Sequence, residues 1–467
     1  MNRLVHFRFI SNPGYRQSST IQLLTHIPQA NAASLISRFI SDMFLPLVDP
    51  ACSSRYFLFV AFQPDGAFPG RRRESHQRHR GEYVPPCPHY PEGCVGCLFI
   101  NLPYPEQLRR KQQVVAQALA AYPSLRRVEA SAVVPSPHRL GYRARVKLVV
   151  RRSKGEVLTG LYQPQSHRVV DISSCPVHPE PVNRVIQQLK KEIQRFDVNP
   201  YDERSDSGDL RYLDIRYSFS SCKIVLTLVT RHPTFPRGAD LARALVKRFR
   251  SITGVVQNIN EDPGNVIWGA RSRPLAGRDT VIERIGPWKI RFPVGVFSQA
   301  NPGVARKLYE KVYALAALSG KETVVDLYCG GGPISLYLAQ GAHLVWAVDE
   351  SSLSIATAKQ NARMNGVSNC RFFEGDVAEK VKEAARQLPR IDLVVLNPPR
   401  KGVQPDAMAA LFSLQPRRII YVSCEPETLA RDLDRLTGRD YRVTAVQPFD
   451  MFPQTAEVET VALLEKV

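Results

Sequence analysis

Beyond Lys321 the chain alternates short apolar runs, each closing in polar residues, with segments of helical period. TVVDL leads into a glycine-rich turn, and PISLYLAQ follows with Pro333 placed for a first helical turn. HLVWAVDE reads as a second strand, and SSLSIATAKQNARMNG as a helix closed by Gly366. RFFEGD, IDLVVLNPP and RIIYVSC repeat the apolar-then-polar pattern. Strands alternating with helices predict a doubly wound parallel sheet, whose ligands lie beyond the carboxyl ends of its strands. Asp326 to Gly332, Asp349, Asp376, Asn397 to Arg400 and Cys424 all fall at such ends.

Upstream the texture is mixed. Pro105 to Ala121 has a helical period, with Leu108, Val115 and Leu119 on one side and Arg109, Arg110 and Lys111 elsewhere. Residues 141–172 alternate as three strands, with Lys154 and Gly155 as the first turn. Residues 1–70 hold apolar runs such as Tyr56 to Phe62 but no usable motif, and the Arg-rich 71–80 reads as an exposed basic linker. The segments expected are an N-terminal extension of unclear fold with a basic end (1–80), a central α+β domain (81–286) and an α/β domain (287–467). Helix 105–121 is expected to pack on the last of these.

A length of 467 residues with 44% hydrophobic content supports two or three such domains. A formal net charge of +20 suits a polyanionic partner, since each neutralised phosphate releases counterions. No stretch nears the roughly 20 apolar residues of a membrane span. The start has no long apolar block behind a basic end, so the expectation is a cytoplasmic protein. Nine cysteines then read as metal ligands or catalysts more readily than as disulfides.

The turn DLYCGGG at 326–332 gives a ligand close access to the backbone at Gly330 and Gly332. Asp349, ending the next strand, can accept both hydroxyl hydrogens of a ribose. The spacing is neither that of a dinucleotide site nor of a phosphate loop; Asp326 with its glycines, plus an acid on the second strand, resembles S-adenosylmethionine sites. Asp376 would sit near the adenine, or simply cap a helix. In NPPRKG at 397–402 two prolines fix a rigid turn, and Asn397 offers both a donor and an acceptor. Such turns also serve methyltransferases acting on exocyclic amines.

YVSCEP at 421–426 sets Cys424 at the functional edge of the sheet. A thiolate there can add to carbon 6 of a pyrimidine and make carbon 5 nucleophilic. A base must afterwards remove the carbon 5 proton. Glu457 and Glu459, in FPQTAEVETVALL at 452–464, alternate so as to share one strand face, and both are candidates. Cys87, Cys94, Cys97 and Cys175 are four candidate ligands for a zinc ion or a cubane cluster, which spacing does not separate.

DLYCGGG, NPPRKG, YVSCEP and FPQTAEVETVALL, in that order, with FSQAN at 297–301 before them, resemble the RNA uracil-5-methyltransferase family. The resemblance covers roughly residues 85–467. It implies a Rossmann-like S-adenosylmethionine methyltransferase domain, with Cys424 as nucleophile and Glu459 as general base. Gln299, Tyr328, Asp349 and Asn397 would line the S-adenosylmethionine site. Three positions depart from the common pattern: Asn397 stands where many members have Asp, Glu425 where Asn is usual, and Glu457 where His is frequent. Glu425 is expected to point away from the thiol. CVGC at 94–97, with Tyr104, Gln107 and Lys111 downstream, resembles the members that carry a [4Fe-4S] cluster. Those members imply a uridine of 23S ribosomal RNA as target. Arg143, Arg145, Lys147, Arg151 and Arg152 could hold its phosphates. No protein partner is evident. The alternatives are a transfer-RNA uridine methyltransferase, an amine or cytosine methyltransferase, and a non-catalytic iron-sulfur RNA-binding protein.

Overall fold

The computed structural model describes residues 5–6, 22–23, 86–262, 264 and 266–467. The basic stretch 71–80 and the 1–80 extension lie outside the described residues, except that Val5–His6 (β1) pairs antiparallel with Gln22–Leu23 (β2).

A helix, Tyr104–Ala120 (α1), is followed by a seven-stranded sheet: Arg145–Ser153 (β3), Glu156–Tyr162 (β4), Val169–Asp171 (β5), Leu210–Ser218 (β6), Lys223–Thr230 (β7), Ile252–Ile259 (β8) and Arg271–Gly277 (β9). The order is β5-β4-β3-β6-β7-β8-β9. Lys154 and Gly155 make the first hairpin turn with φ of 48° and 85°, the left-handed region such tight turns need. Glu180–Arg195 (α2) lies between β5 and β6, and Gly238–Arg248 (α3) between β7 and β8. β7 and β8 run parallel, which requires a crossover, and α3 supplies it. Val146, Leu148 and Val150 of β3 join the apolar layer that includes Val182, Ile186 and Leu189 of α2 and Leu241 and Leu245 of α3. The alternate residues Arg145, Lys147 and Arg151 therefore lie on the other face.

A hairpin of Thr280–Ile285 (β10) and Trp288–Pro293 (β11) and a helix, Pro302–Ala316 (α4), lead into a second sheet. Its elements in chain order are Thr323–Leu327 (β12), Pro333–Ala339 (α5), Leu344–Asp349 (β13), Ser352–Met364 (α6), Cys370–Glu374 (β14), Val377–Gln387 (α7), Leu393–Leu396 (β15), Pro405–Leu414 (α8), Arg418–Ser423 (β16), Pro426–Thr437 (α9), Tyr441–Phe449 (β17) and Glu459–Lys466 (β18). The order is β14-β13-β12-β15-β16-β18-β17. The first five run parallel, and β18 enters antiparallel between β16 and β17. Apolar layers cover both faces, so the strands carry near-continuous hydrophobic runs. This is the doubly wound, Rossmann-like arrangement that the alternation predicts. Strand order reverses at β12, and the carboxyl ends of β12 and β15 flank that switch point.

Val115 and Leu119 of α1 pack in the same layer as Leu429, Leu433 and Leu436 of α9. The buried stripe of α1 is Tyr104, Gln107, Lys111, Val115 and Leu119. That differs from the stripe the apolar positions alone indicated, because Lys111 points inward. Its Nζ donates to Asp450 Oδ1 at 2.5 Å and to the Phe452 carbonyl at 2.9 Å, while Tyr104 Oη donates to Asp450 Oδ2 at 2.7 Å. A buried ammonium is tolerated only with such partners. The result is a fixed position for the 450–455 segment, which runs into β18.

Candidate active site

Every strand end singled out by the sequence opens on one side of the second sheet. There a cavity of about 1440 Å³ is lined by Gln299, Tyr328, Gly330, Asp349, Asp376, Asn397, Cys424 and Glu459, together with Phe297, Arg400 and Phe452.

The glycine turn forms one wall. Tyr328 (φ 62°), Gly330 (φ 55°) and Gly332 (φ 81°) carry the chain from β12 into α5 through left-handed backbone. At Gly332 an added Cβ would come within 3.1 Å of Ala358 Cβ and 3.2 Å of Phe372 Cε1, so glycine is needed for packing as well as for φ. Gly330 has no such neighbour within 4 Å, and its N–H donates to Asp349 Oδ2 at 2.9 Å. Asp349 Oδ1 accepts from Ser351 N–H at 3.0 Å. The carboxylate is thus aimed by two backbone donors. Asp326 and Gly332 do not line the cavity. Asp326 is fully buried beneath the turn, where Ser335 Oγ donates to it at 2.5 Å and burial pushes its carboxyl up to about 7. Asp376 lines the cavity and also caps α7, accepting from Glu379 N–H at 3.0 Å.

Gln299 is placed by its neighbours. Asn301 caps α4 through Val304 N–H at 3.3 Å and donates to Ser136 Oγ at 3.0 Å and the Met451 carbonyl at 3.3 Å. Gln299 lines the same cavity as Glu459, the first residue of β18, and favours its ionised form. Glu459 is 4% exposed. Burial raises its carboxyl to about 7, against the lowering effects of Gln299 and Arg400. Its neighbour two residues earlier behaves differently. Glu457 precedes the strand, is exposed, and pairs with Arg400 at 2.9 Å. The alternation that put both carboxylates on one strand face is corrected here, because β18 begins only at Glu459.

Cys424 sits between β16 and α9. Ser423 Oγ accepts from Glu425 N–H at 3.1 Å and donates to the Glu425 carbonyl at 3.0 Å, closing a tight turn around the cysteine. The thiol is half-buried. Burial, and then Glu459, push it above its ordinary range, while Arg400 pulls it down through its charge. The Glu425 carboxyl lies against Glu427 and is held above the ordinary carboxylate range chiefly by that hydrogen bond. Arg400 was quoted in the sequence motif but given no role. Its only signal there was its place in NPPRKG, since its partners Cys424 and Glu457 lie far along the chain.

The four cysteines singled out as candidate metal ligands meet elsewhere. Cys87, Cys94, Cys97 and Cys175 line a cavity of about 160 Å³ with His89, His178 and Arg143. Asn183 holds Cys175 through both its backbone N–H and its carbonyl, each at 3.1 Å. Burial raises Cys97 to about 12 and Cys175 to about 11, and the thiols act on one another through charge. Burial lowers His178 to about 3, leaving a neutral ring. Among the described residues no group of three or more His, Cys, Asp or Glu side chains is drawn together as a metal-ion site. Four thiols lining one cavity are of the donor type that a thiophilic metal group takes, and its positive charge would be what ionises them.

The basic residues of 143–152 are only partly available. Arg145 pairs with Asp214 at 2.9 Å, Arg151 with Glu203 at 2.5 Å, and Arg152 donates to the Val198 carbonyl at 3.4 Å. Lys147 is half-buried on the helix-free face of the sheet. No helix among the described residues is long and apolar enough to cross a membrane.

The family model described as tRNA (Uracil-5-)-methyltransferase matches residues 286–467. An RNA methyltransferase of Geobacter sulfurreducens is 41% identical over 373 residues, covering 80% of this chain and 75% of that one. One of Clostridium tetani is 37% identical over 380 residues, covering 81% and 82%. Among solved structures, the Pyrococcus abyssi tRNA (uracil-54, C5)-methyltransferase in complex with S-adenosyl-L-homocysteine superposes with a TM-score of 0.65 and 28% identity, covering 80% of this chain and 86% of that one.

Proposed function

The chain belongs to the S-adenosylmethionine-dependent RNA uracil-5-methyltransferase family, and from that premise we propose that it methylates carbon 5 of a uridine in 23S ribosomal RNA through covalent addition of Cys424 to carbon 6 of the base. The observation that carries this reading is the shared cavity: a thiol and a buried carboxyl open into the same space as Gln299, Asp349 and Asn397.

In this reading Asp349 accepts from the ribose hydroxyls, and Gly330 lets the ligand lie against the backbone. Asp376 and Asn397 flank the adenine and the reacting end. Asp326 and Gly332 hold the turn in shape from beneath. S-adenosylmethionine, when bound, supplies an electrophilic methyl group. Cys424 as thiolate adds to carbon 6, and the electron pair of the carbon 5–carbon 6 double bond moves onto carbon 4 oxygen, so that carbon 5 becomes nucleophilic. Once carbon 5 carries the methyl group, Glu459 takes its proton, the double bond re-forms and the Cys424 thiolate leaves. The base must leave its stack to reach the thiol, which suits a cavity of this size.

The four clustered cysteines would hold a [4Fe-4S] cluster, with a structural or RNA-positioning part, since methyl transfer moves no electron to it. Anaerobically purified protein is expected to show broad visible absorption, lost on replacing Cys97 by serine; a colourless protein holding one zinc ion would overturn the cluster. Lys147, together with the partly buried Arg143 and Arg145 on the same face, would meet RNA phosphates. A cytoplasmic site of action belongs to the same reading.

A uridine of transfer RNA is the second reading, favoured by the transfer-RNA substrate named for the Pyrococcus structure. Mapping 5-methyluridine in both RNAs, with and without this protein, separates them. Loss of the mark from 23S ribosomal RNA alone is expected, and loss from transfer RNA alone would reverse the assignment. A non-catalytic RNA-binding protein would bind no S-adenosylmethionine, which calorimetry reads directly.

A further inference from the structure

We propose that Glu457 is a positioning residue that holds the Arg400 guanidinium against Cys424 and so supports the thiolate form of the nucleophile. The inference rests on the role given to Cys424 above.

Arg400 is anchored by its backbone. Its turn closes with Gly402 N–H donating to the Pro399 carbonyl at 2.8 Å, and Thr428 Oγ1 of α9 donates to the Arg400 carbonyl at 3.1 Å. The side chain is a different matter, since it is 65% exposed and a long exposed side chain has many rotamers. Glu457 restricts it: Arg400 Nη2 donates to Glu457 Oε2 at 2.9 Å. From that position the guanidinium lines the same cavity as Cys424 and favours the ionised thiol through its charge. A planar fork of five donors can serve both partners at once, which a lysine ammonium on a flexible stem does less well.

The charges around the thiol make such support necessary. Glu459 faces it from β18, and Glu425 and Glu427 stand at the start of α9. Glu457 precedes β18, and Arg400 is a cation that acts on Cys424, Glu425, Glu457 and Glu459. Arg400 eases ionisation of Cys424 and of Glu459 alike. Covalent attack needs the first of these charges, and proton removal needs the second.

The sign of one substitution separates positioning from simple proximity. Were Glu457 only another negative charge near Cys424, Glu457→Ala would make the thiol ionise more readily. As a clamp on Arg400, its removal makes ionisation harder. The measurement is the rate of iodoacetamide alkylation at Cys424 against pH in the RNA-free protein, read on the peptide that carries it. Glu457→Ala and Arg400→Ala are both expected to slow labelling about tenfold near pH 8, which is one unit of displacement toward alkaline pH. Arg400→Lys is expected to fall between them and the parent protein. An unchanged profile in Arg400→Ala, or an acid-ward shift in Glu457→Ala, overturns the proposal. Because no RNA takes part, alkylation that responds as expected in a protein unable to form 5-methyluridine would sink the function proposed above and leave only the hold of Glu457 on Arg400 and its effect on the thiol.

Discussion

Cys424→Ala is expected to lower 5-methyluridine formation by at least about 10⁴-fold, with S-adenosylmethionine affinity unchanged by calorimetry. Carbon 5 of uracil is a poor nucleophile, and among the described residues no other thiol lines the same cavity. Cys329 is in the adjacent turn, but it is buried and its thiol is held well above its ordinary range by that burial. The half-buried Cys424 packs in no apolar cluster, so its truncation leaves the sheet intact. The rate of the parent enzyme should also rise with pH. Burial and Glu459 both hold the thiol above its ordinary range, so the thiolate fraction is small at neutrality and grows with alkalinity. A Cys424→Ala protein that still methylates its RNA at the parent rate would point to the amine chemistry that NPP turns also serve.

Much of the second sheet could be read from the chain because its strands are buried on both faces. Continuous apolar runs, Pro333 at a helix start and Gly366 at a helix end mark the elements without help from distant residues. Residues whose meaning depends on a partner far along the chain could not be read. Lys111 looked like one of three surface cations until Asp450, 339 positions away, was found beside it. Arg400 and Glu457 are 57 positions apart, and neither alone signals an ion pair. Alternation gave the wrong relation between Glu457 and Glu459, since period-two reasoning holds only inside a strand. The parallel pairing of β7 with β8 was equally hidden, because a crossover helix and a hairpin leave similar local patterns on the strands they join.

Glu459→Gln is expected to slow turnover by roughly 10²- to 10⁴-fold and, in the same protein, to raise stability at alkaline pH. The kinetic effect follows from the last step, since an amide cannot take the carbon 5 proton. Attack by Cys424 does not need that proton, so the variant should accumulate an RNA–protein adduct that survives denaturing electrophoresis. The effect on stability follows from burial. The folded-state pKa of Glu459 is raised to about 7 from an ordinary 4.5. Below about 4.5 the group is neutral in folded and unfolded chains alike, and it brings no penalty. Between the two values the folded protein binds the extra proton, so stability falls as pH rises. Above about 7 the full penalty of a buried carboxylate remains, on the order of 3 kcal/mol. Glutamine keeps the shape yet carries no charge. Urea unfolding should therefore show the variant ahead of the parent by about 3 kcal/mol at pH 8, with most of that gap gone at pH 5. A gap independent of pH would mean that the carboxyl is not held neutral by burial, and its fitness as a base near neutrality would have to come from the bound RNA instead.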